Sequence, residues 1–451
     1  MLRKNVIIIG AAGRDFHNFN TFFRYNEAYN VVGFTAAQLP FIHERHYPHT
    51  LAGEELYPYG ISIYPEQDLP KLIKEKEIDF CVFSYSDVSY EHVMKISSIV
   101  HAAGANFLLL GPDNTMLKSR KPVISICATR TGCGKSQTSR KVCELLMQHG
   151  IRVVIIRHPM PYGNLIRQKL QRYESLSDLK EHKCTIEEME EYEPHLERGN
   201  VIYAGVDYEA ILHAAEKDPK GCDVILWEGG NNDFSFFKSD LYITVTDPLR
   251  AGSEVSYYPG EVNLRLADVI IINKIDSASL PEIHSLRENI QQTNQSAIVI
   301  DAASPVRVDK PDLIRNKRVL VIEDGPTLTH GNMQVGAGVI AAQRYNASEI
   351  VDPRPYLVGQ LKETFKTYPK IGNLLPAMGY GNDQTRDLEE SINRTNCDSV
   401  VIGTPINLSR IIKIKKPTVR VFYDLAEISQ PGLEEVIENF IAEKRIKTRK
   451  L

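Results

Sequence analysis

Short apolar runs rich in Val and Ile recur along the chain, each followed by a longer mixed stretch with helical spacing. The runs are Val6–Ile9, Val31–Phe34, Phe80–Phe83, Phe107–Leu110, Val123–Ala128, Val153–Ile156, Val224–Trp227, Tyr242–Val245, Val269–Ile272, Ala297–Ile300, Val319–Ile322, Val400–Ile402 and Val419–Phe422. They lack the in–out alternation of a strand with one wet face, so they read as strands buried on both faces of a parallel sheet. Strand–helix–strand repetition over most of the chain predicts an α/β fold with mainly parallel sheets. Three regions are expected: a Rossmann-like N-terminal domain over 1–119, a P-loop NTPase domain over 120–345, and a C-terminal extension over 346–451 packed on the second. The Pro-containing segment Gly111–Pro122 marks the first boundary, and a weaker one falls near Asn346–Pro355.

Composition narrows the classes. At 451 residues the chain exceeds one ordinary core. Its 43% hydrophobic and 24% charged residues are those of a globular protein. A net charge of −4 leaves no nucleic-acid footprint. Seven cysteines at irregular spacing, with no CxxC pair, read as free thiols of a reducing cytoplasm. No apolar stretch approaches the roughly 20 residues that span a bilayer, so neither membrane nor nucleic acid is an expected partner.

The strongest chemistry is VISICATRTGCGKS, residues 123–136. A buried-type strand runs into a loop with Gly132 and Gly134, then Lys135, Ser136 and a helix-compatible stretch. In such a loop backbone N–H groups close around phosphate oxygens, the lysine neutralises the β/γ charge and the hydroxyl ligates Mg²⁺. The nucleotide-binding candidates are Thr129, Arg130, Thr131, Gly132, Cys133, Gly134, Lys135, Ser136 and Gln137. Thr129 stands where the consensus has its first Gly, and Arg130 follows within reach of the phosphates. In DVILWEGGNND, residues 223–233, Glu228 and Asp233 are carboxylates near a strand tip; with Lys135 they are the catalytic candidates. Ser136 and Glu228 are the metal candidates for Mg²⁺. NKID, residues 273–276, offers Asn273, Lys274 and Asp276 for reading a base, with a helix cap as the structural alternative. The co-substrate is ATP or GTP.

Other strand tips supply candidates for a polyanionic substrate: Arg14 and His17 in GAAGRDFHN, Arg157 and His158 in RHPMPYG, and His330 in EDGPTLTHG. Asp207 is a further Mg²⁺ candidate or a turn residue. The acidic run Glu187–Glu193 reads as a solvated helix face, with a lesser metal-binding alternative through His195.

Taken together, GAAGRDFHNFN, TGCGKSQTSR, RHPMPYG, CTIEEMEEYEPH, YAGVDYEAIL, WEGGNNDF, SYYPGEVNLRLADVIIINKID and EDGPTLTHG resemble the cyclic 2,3-diphosphoglycerate synthetase family, whose bacterial members are often called predicted GTPases. The resemblance runs over nearly the whole chain. Glu228 replaces the Asp expected in that family's DGGNND turn. The resemblance implies ATP-driven closure of an intramolecular phosphoanhydride on 2,3-diphosphoglycerate or a related small phosphorylated acid, on a possible homodimer. The alternative is a P-loop GTPase acting as a regulatory switch or metal-delivery chaperone.

Overall fold

The computed structural model describes residues 3–11, 13–37, 46–158, 163–230, 232–324, 336–377 and 382–449. The protein is α/β, and its described strands form three larger sheets. In the first, strands run in the order His46–Tyr47, Ile61–Pro65, Tyr29–Ala36, Lys4–Ile9, Phe80–Phe83 and Asn106–Leu108. All its pairs are parallel except the His46–Tyr47 edge.

The second sheet has nine strands: Gln171–Tyr173, Val201–Ala204, Val153–Arg157, Val224–Glu228, Val123–Ala128, Leu241–Thr246, Val269–Ile272, Ile298–Ala303 and Ala426–Glu427. Only its two edge pairs are antiparallel. Every residue of Val123–Ala128 and Val224–Glu228 is buried, as their unbroken apolar runs require.

The third sheet centres on Arg318–Asp324, which pairs in parallel with Ser399–Ile402, Glu349–Ile350 and Leu375–Ala377. It takes strands from both sides of the break expected near residue 346. The last helix, Leu433–Glu443, returns to the second sheet and packs Leu433, Val436, Ile437, Phe440 and Ile441 into its core. Burial of each such side chain is worth about 1.5–3 kcal/mol, which makes this helix a clasp on the central unit.

A short antiparallel pair, Val88–Ser89 with Tyr257–Tyr258, ties the first unit to the second. Carboxyl ends of parallel strands are where α/β proteins bind ligands. Here the tips of Val153–Arg157 and Val224–Glu228 meet helix Ile186–Leu196, and that helix also touches the segment after Ser399–Ile402 in the third sheet. Among the described residues no helix is long and apolar enough to cross a membrane.

Candidate functional site

The loop after Val123–Ala128 is built for close approach. Gly132 and Gly134 take φ of +83° and +116°, conformations that an L side chain resists. A Cβ on Gly134 would also lie 2.2 Å from Asn273 Nδ2. The helix starts at Lys135, so its free N–H groups and positive dipole end face the loop. Lys135 Nζ donates to Asn232 Oδ1 at 2.7 Å, and Asn232 Nδ2 donates to Thr131 Oγ1 at 3.2 Å. Ser136 is half-buried, whereas Thr129 and Cys133 are buried.

Two other segments brace the loop. Asn273 Nδ2 donates to Cys133 O at 2.8 Å, and Lys274 Nζ to Gly132 O at 2.6 Å and Asp247 Oδ2 at 2.8 Å. Asp276 accepts from Ser304 N at 3.1 Å, while Gln137 Oε1 accepts from the Ser304 hydroxyl at 3.0 Å. Asn273 and Lys274 therefore hold the phosphate loop in shape. From the first unit, Asp87 accepts from Arg130 Nε at 2.6 Å and from Thr131 N at 3.1 Å. Arg130 also stacks 3.5 Å over the Tyr257 ring. Thus Arg130, expected at phosphate, is held by a carboxylate.

The strand tips carry a buried ionic network. Arg157 pairs with Glu228 through Nη1 and with Glu191 Oε2 through Nη2 at 2.8 Å. The second Glu228 oxygen accepts from Ser139 Oγ and faces His195 Nε2 at 3.2 Å. Burial alone would raise the Glu228 carboxyl, but the Arg157 guanidinium and the His195 and Ser139 contacts hold it well below the usual carboxylate range. Burial lowers the His195 imidazole, against the pull of Glu228. Glu228 thus spends both oxygens on protein partners. Its arm reaches Arg157 and Ser139 in this structure. Arg157, expected at substrate, is likewise committed.

Asp233 faces Arg14 Nε at 3.5 Å, and burial raises its carboxyl against that attraction. Arg14 also donates to Phe234 O and lies 3.8 Å over the Phe234 ring. His17 stacks on Phe236 at 4.0 Å and its Nε2 lies 2.7 Å from Thr115 O. Burial and Arg14 lower the His17 imidazole, so it packs neutral rather than offering charge to a substrate. His158 sits against Gly13, where a Cβ would come within 1.9 Å of His158 Nε2. The first unit's glycine turn therefore meets the second unit's strand tip. His330 lies outside the described residues. Asp207 caps helix Tyr208–Glu216 through Ala210 N at 3.1 Å and faces Arg24 and Lys169, a structural role.

The acidic run is not solvated. On helix Ile186–Leu196, Glu187, Glu188, Glu190 and Glu193 are buried. Glu193 accepts from Asn407 N at 3.1 Å and Arg410 Nη1 at 2.8 Å. Sequence reasoning missed Asp87, Ser139, Glu191 and Asn232 because each acts on a residue remote in the chain. Asp87 did carry a signal, since it follows the Phe80–Phe83 strand closely.

The chain is similar to three known proteins, to very different extents. The chain is 60% identical over 438 residues to arginine synthetase ArcE of Thermococcus kodakarensis, covering 97% of each chain. It belongs to the arginine synthetase family. The cyclic 2,3-diphosphoglycerate synthetase of Pyrococcus furiosus matches over only 75 residues at 27% identity, 17% of each chain. Membership of that family is thereby corrected, as are its ring-closing reaction and the GTPase alternative; the short shared segment indicates a wider common ancestry. A solved structure of LpxK from Aquifex aeolicus in complex with ATP has a TM-score of 0.46 at 11% identity, over 78% of this chain and 96% of that one. No family model matches the chain. The protein is an enzyme, a nucleotide-dependent synthetase.

Proposed function

We propose that this enzyme forms arginine, driving the new C–N bond with ATP held at residues 129–137. The 60% identity to an arginine synthetase across 97% of both chains carries this reading. The chemistry suits it. The C–N bonds of arginine that lie on a carbonyl-type carbon, where triphosphate cleavage can drive their formation, are those of the guanidinium group. A ureido amino acid would lose its oxygen with the nucleotide's terminal phosphate, and a nitrogen donor would take its place.

In this reading Lys135 leaves Asn232 for the phosphates, with the loop amides around them. Arg130 joins them once Asp87 releases it. Asp276, the carboxylate that would read guanine, accepts from Ser304 N at 3.1 Å, which favours ATP over GTP. For Mg²⁺, the half-buried Ser136 hydroxyl at the helix start fits and the engaged Glu228 does not; bound there, the ion would supply charge neutralisation on the phosphates. Thermal denaturation with each nucleotide tests the assignment. ATP at about 100 times its dissociation constant should stabilise the protein by about 2.7 kcal/mol, and GTP by much less. Equal shifts, or none for ATP, would count against it.

A further inference from the structure

The phosphate-loop helix, Lys135–Gln148, carries a buried cation with no carboxylate against it. Arg140 is 8% exposed. Its Nη2 donates to Tyr423 O at 3.2 Å, and among the described residues that is its one hydrogen bond. Among the described residues no carboxylate comes within ion-pair distance of it. Arg157, also buried, holds Glu191 and Glu228 at once. The acids in the field of Arg140 belong to other cations: Glu228 pairs with Arg157, and Asp424 with Arg307 at 2.7 Å. Burial lowers the Arg140 guanidinium, and Arg198 adds to that against the pull of Tyr423, Glu228 and Asp424.

A guanidinium keeps its charge inside a protein, and a buried charge without a partner is destabilising; an anionic ligand would offset that. The place is a seam between units. Tyr423 ends strand Thr418–Tyr423 of the third sheet, and its ring centre lies 5.9 Å from the Arg140 guanidinium. The Tyr423 phenol makes no hydrogen bond among the described residues, and burial raises it, so it stays a donor. Arg140 follows Ser136 by four residues, so the two share a helix face and stand about 6 Å apart along the axis. The amino acid has a matching span: about 7 Å of extended chain separates the carboxylate carbon of arginine, or of its ureido precursor, from the carbon that gains nitrogen. A planar fork of N–H donors suits a carboxylate, which accepts two such bonds side by side.

We propose that Arg140 holds the α-carboxylate of the amino acid, with the Tyr423 phenol beside it, in the seam between the phosphate-loop helix and the third sheet. This rests on the arginine-forming reading and adds the amino acid's orientation: carboxylate at Arg140, side chain running toward the helix start, reacting carbon at the terminal phosphate. The nucleotide's phosphates stay at the helix start, about one turn from Arg140, so this residue serves the amino acid and not ATP.

Calorimetric titration of L-arginine, agmatine and ATP into the full-length wild type, Arg140→Met and Arg140→Lys tests it. Arg140→Met should bind arginine about tenfold more weakly or worse, and bind ATP as the wild type does. Agmatine, which is arginine without the carboxylate, should bind wild type more weakly by a similar factor and lose nothing further in Arg140→Met. Arg140→Lys keeps the charge without the fork and should recover part of the loss for arginine alone. Arg140→Met removes a buried, unpaired charge, so its thermal unfolding should be no lower than wild type. If arginine binds wild type and Arg140→Met equally, the carboxylate sits elsewhere although the functional reading stands, and the proposal is overturned. Equal losses for arginine and agmatine would show a structural role, and a loss for ATP alone would assign Arg140 to the nucleotide; either overturns it. If arginine fails to bind wild type even with an ATP analogue present, the functional reading fails and the proposal with it.

Discussion

Arg157 holds Glu191 and Glu228 at once, fully buried, and a guanidinium cannot shed its charge to relieve the loss of either. Removing one partner leaves an uncompensated buried ion, which costs about 3–5 kcal/mol. Glu228→Ala should therefore lower the urea unfolding free energy by about that much, and an unchanged midpoint would show that the network is not load-sharing. The sign with pH follows from the depressed Glu228 carboxyl. Its contribution is present above the unfolded value of about 4.3 and is lost as pH falls below that toward the lower folded value. Lys135 is simpler: Lys135→Ala should keep the fold, measured by circular dichroism, and cut turnover by about 100-fold or more. Lys135 was legible in the sequence because glycine turn, lysine and helix start are contiguous. Asp87, Glu191 and Asn232 were not, because their partners lie in segments that only the fold brings near. For the same reason Arg157 and Arg14 looked free for substrate until Glu228 and Asp233 were seen beside them.

At the scale of elements, Glu323 secures helix Ala337–Arg344 to its sheet. It accepts from Gly338 N at 3.1 Å and Val339 N at 2.8 Å, at the helix end where unpaired N–H groups gather. Burial still pushes its carboxyl up to about 7. Between about 4.3 and that value the folded state keeps a proton the unfolded chain has lost, so this group's contribution to stability falls as pH rises through that window. Chemical denaturation from pH 5 to 8 should show the decline in wild type and a flatter profile in Glu323→Gln. A parallel profile in the variant would contradict the assignment. The phosphate loop offers a second test. Gly134→Ala places a methyl against Asn273 in a backbone conformation that alanine resists, and should abolish nucleotide binding in a thermal-shift assay. The elements themselves were largely legible. Val123–Ala128 and Val269–Ile272 stand where their apolar runs placed them, because a strand buried on both faces leaves an unbroken signature. The helix Ile186–Leu196 was misread as solvated. Its glutamates follow helical spacing, but their burial depends on partners in the third sheet and on Arg157, which no local pattern reveals.

Across the whole molecule, the first and third units both contact the central one near its strand tips. The first contributes Asp87 and Arg14, the second Lys135, Arg157 and Glu228, and the third Arg410, which pairs with Glu193 on helix Ile186–Leu196. The match to cyclic 2,3-diphosphoglycerate synthetases is confined to short segments, and a shared segment does not fix a reaction; the match to an arginine synthetase covers 97% of the chain. Asp87 accepts from Arg130 and Thr131, which ties the first unit to the loop. Hydrogen exchange of the Thr131 amide should quicken in Asp87→Ala, and an unchanged rate would remove that contact from the account. The central claim is tested most directly by following phosphate release and arginine formation together, with ATP, ammonium and a ureido amino acid supplied. Wild type should yield the two products in equal amounts and Lys135→Ala neither. Phosphate release without arginine, or equal turnover by Lys135→Ala, would contradict it.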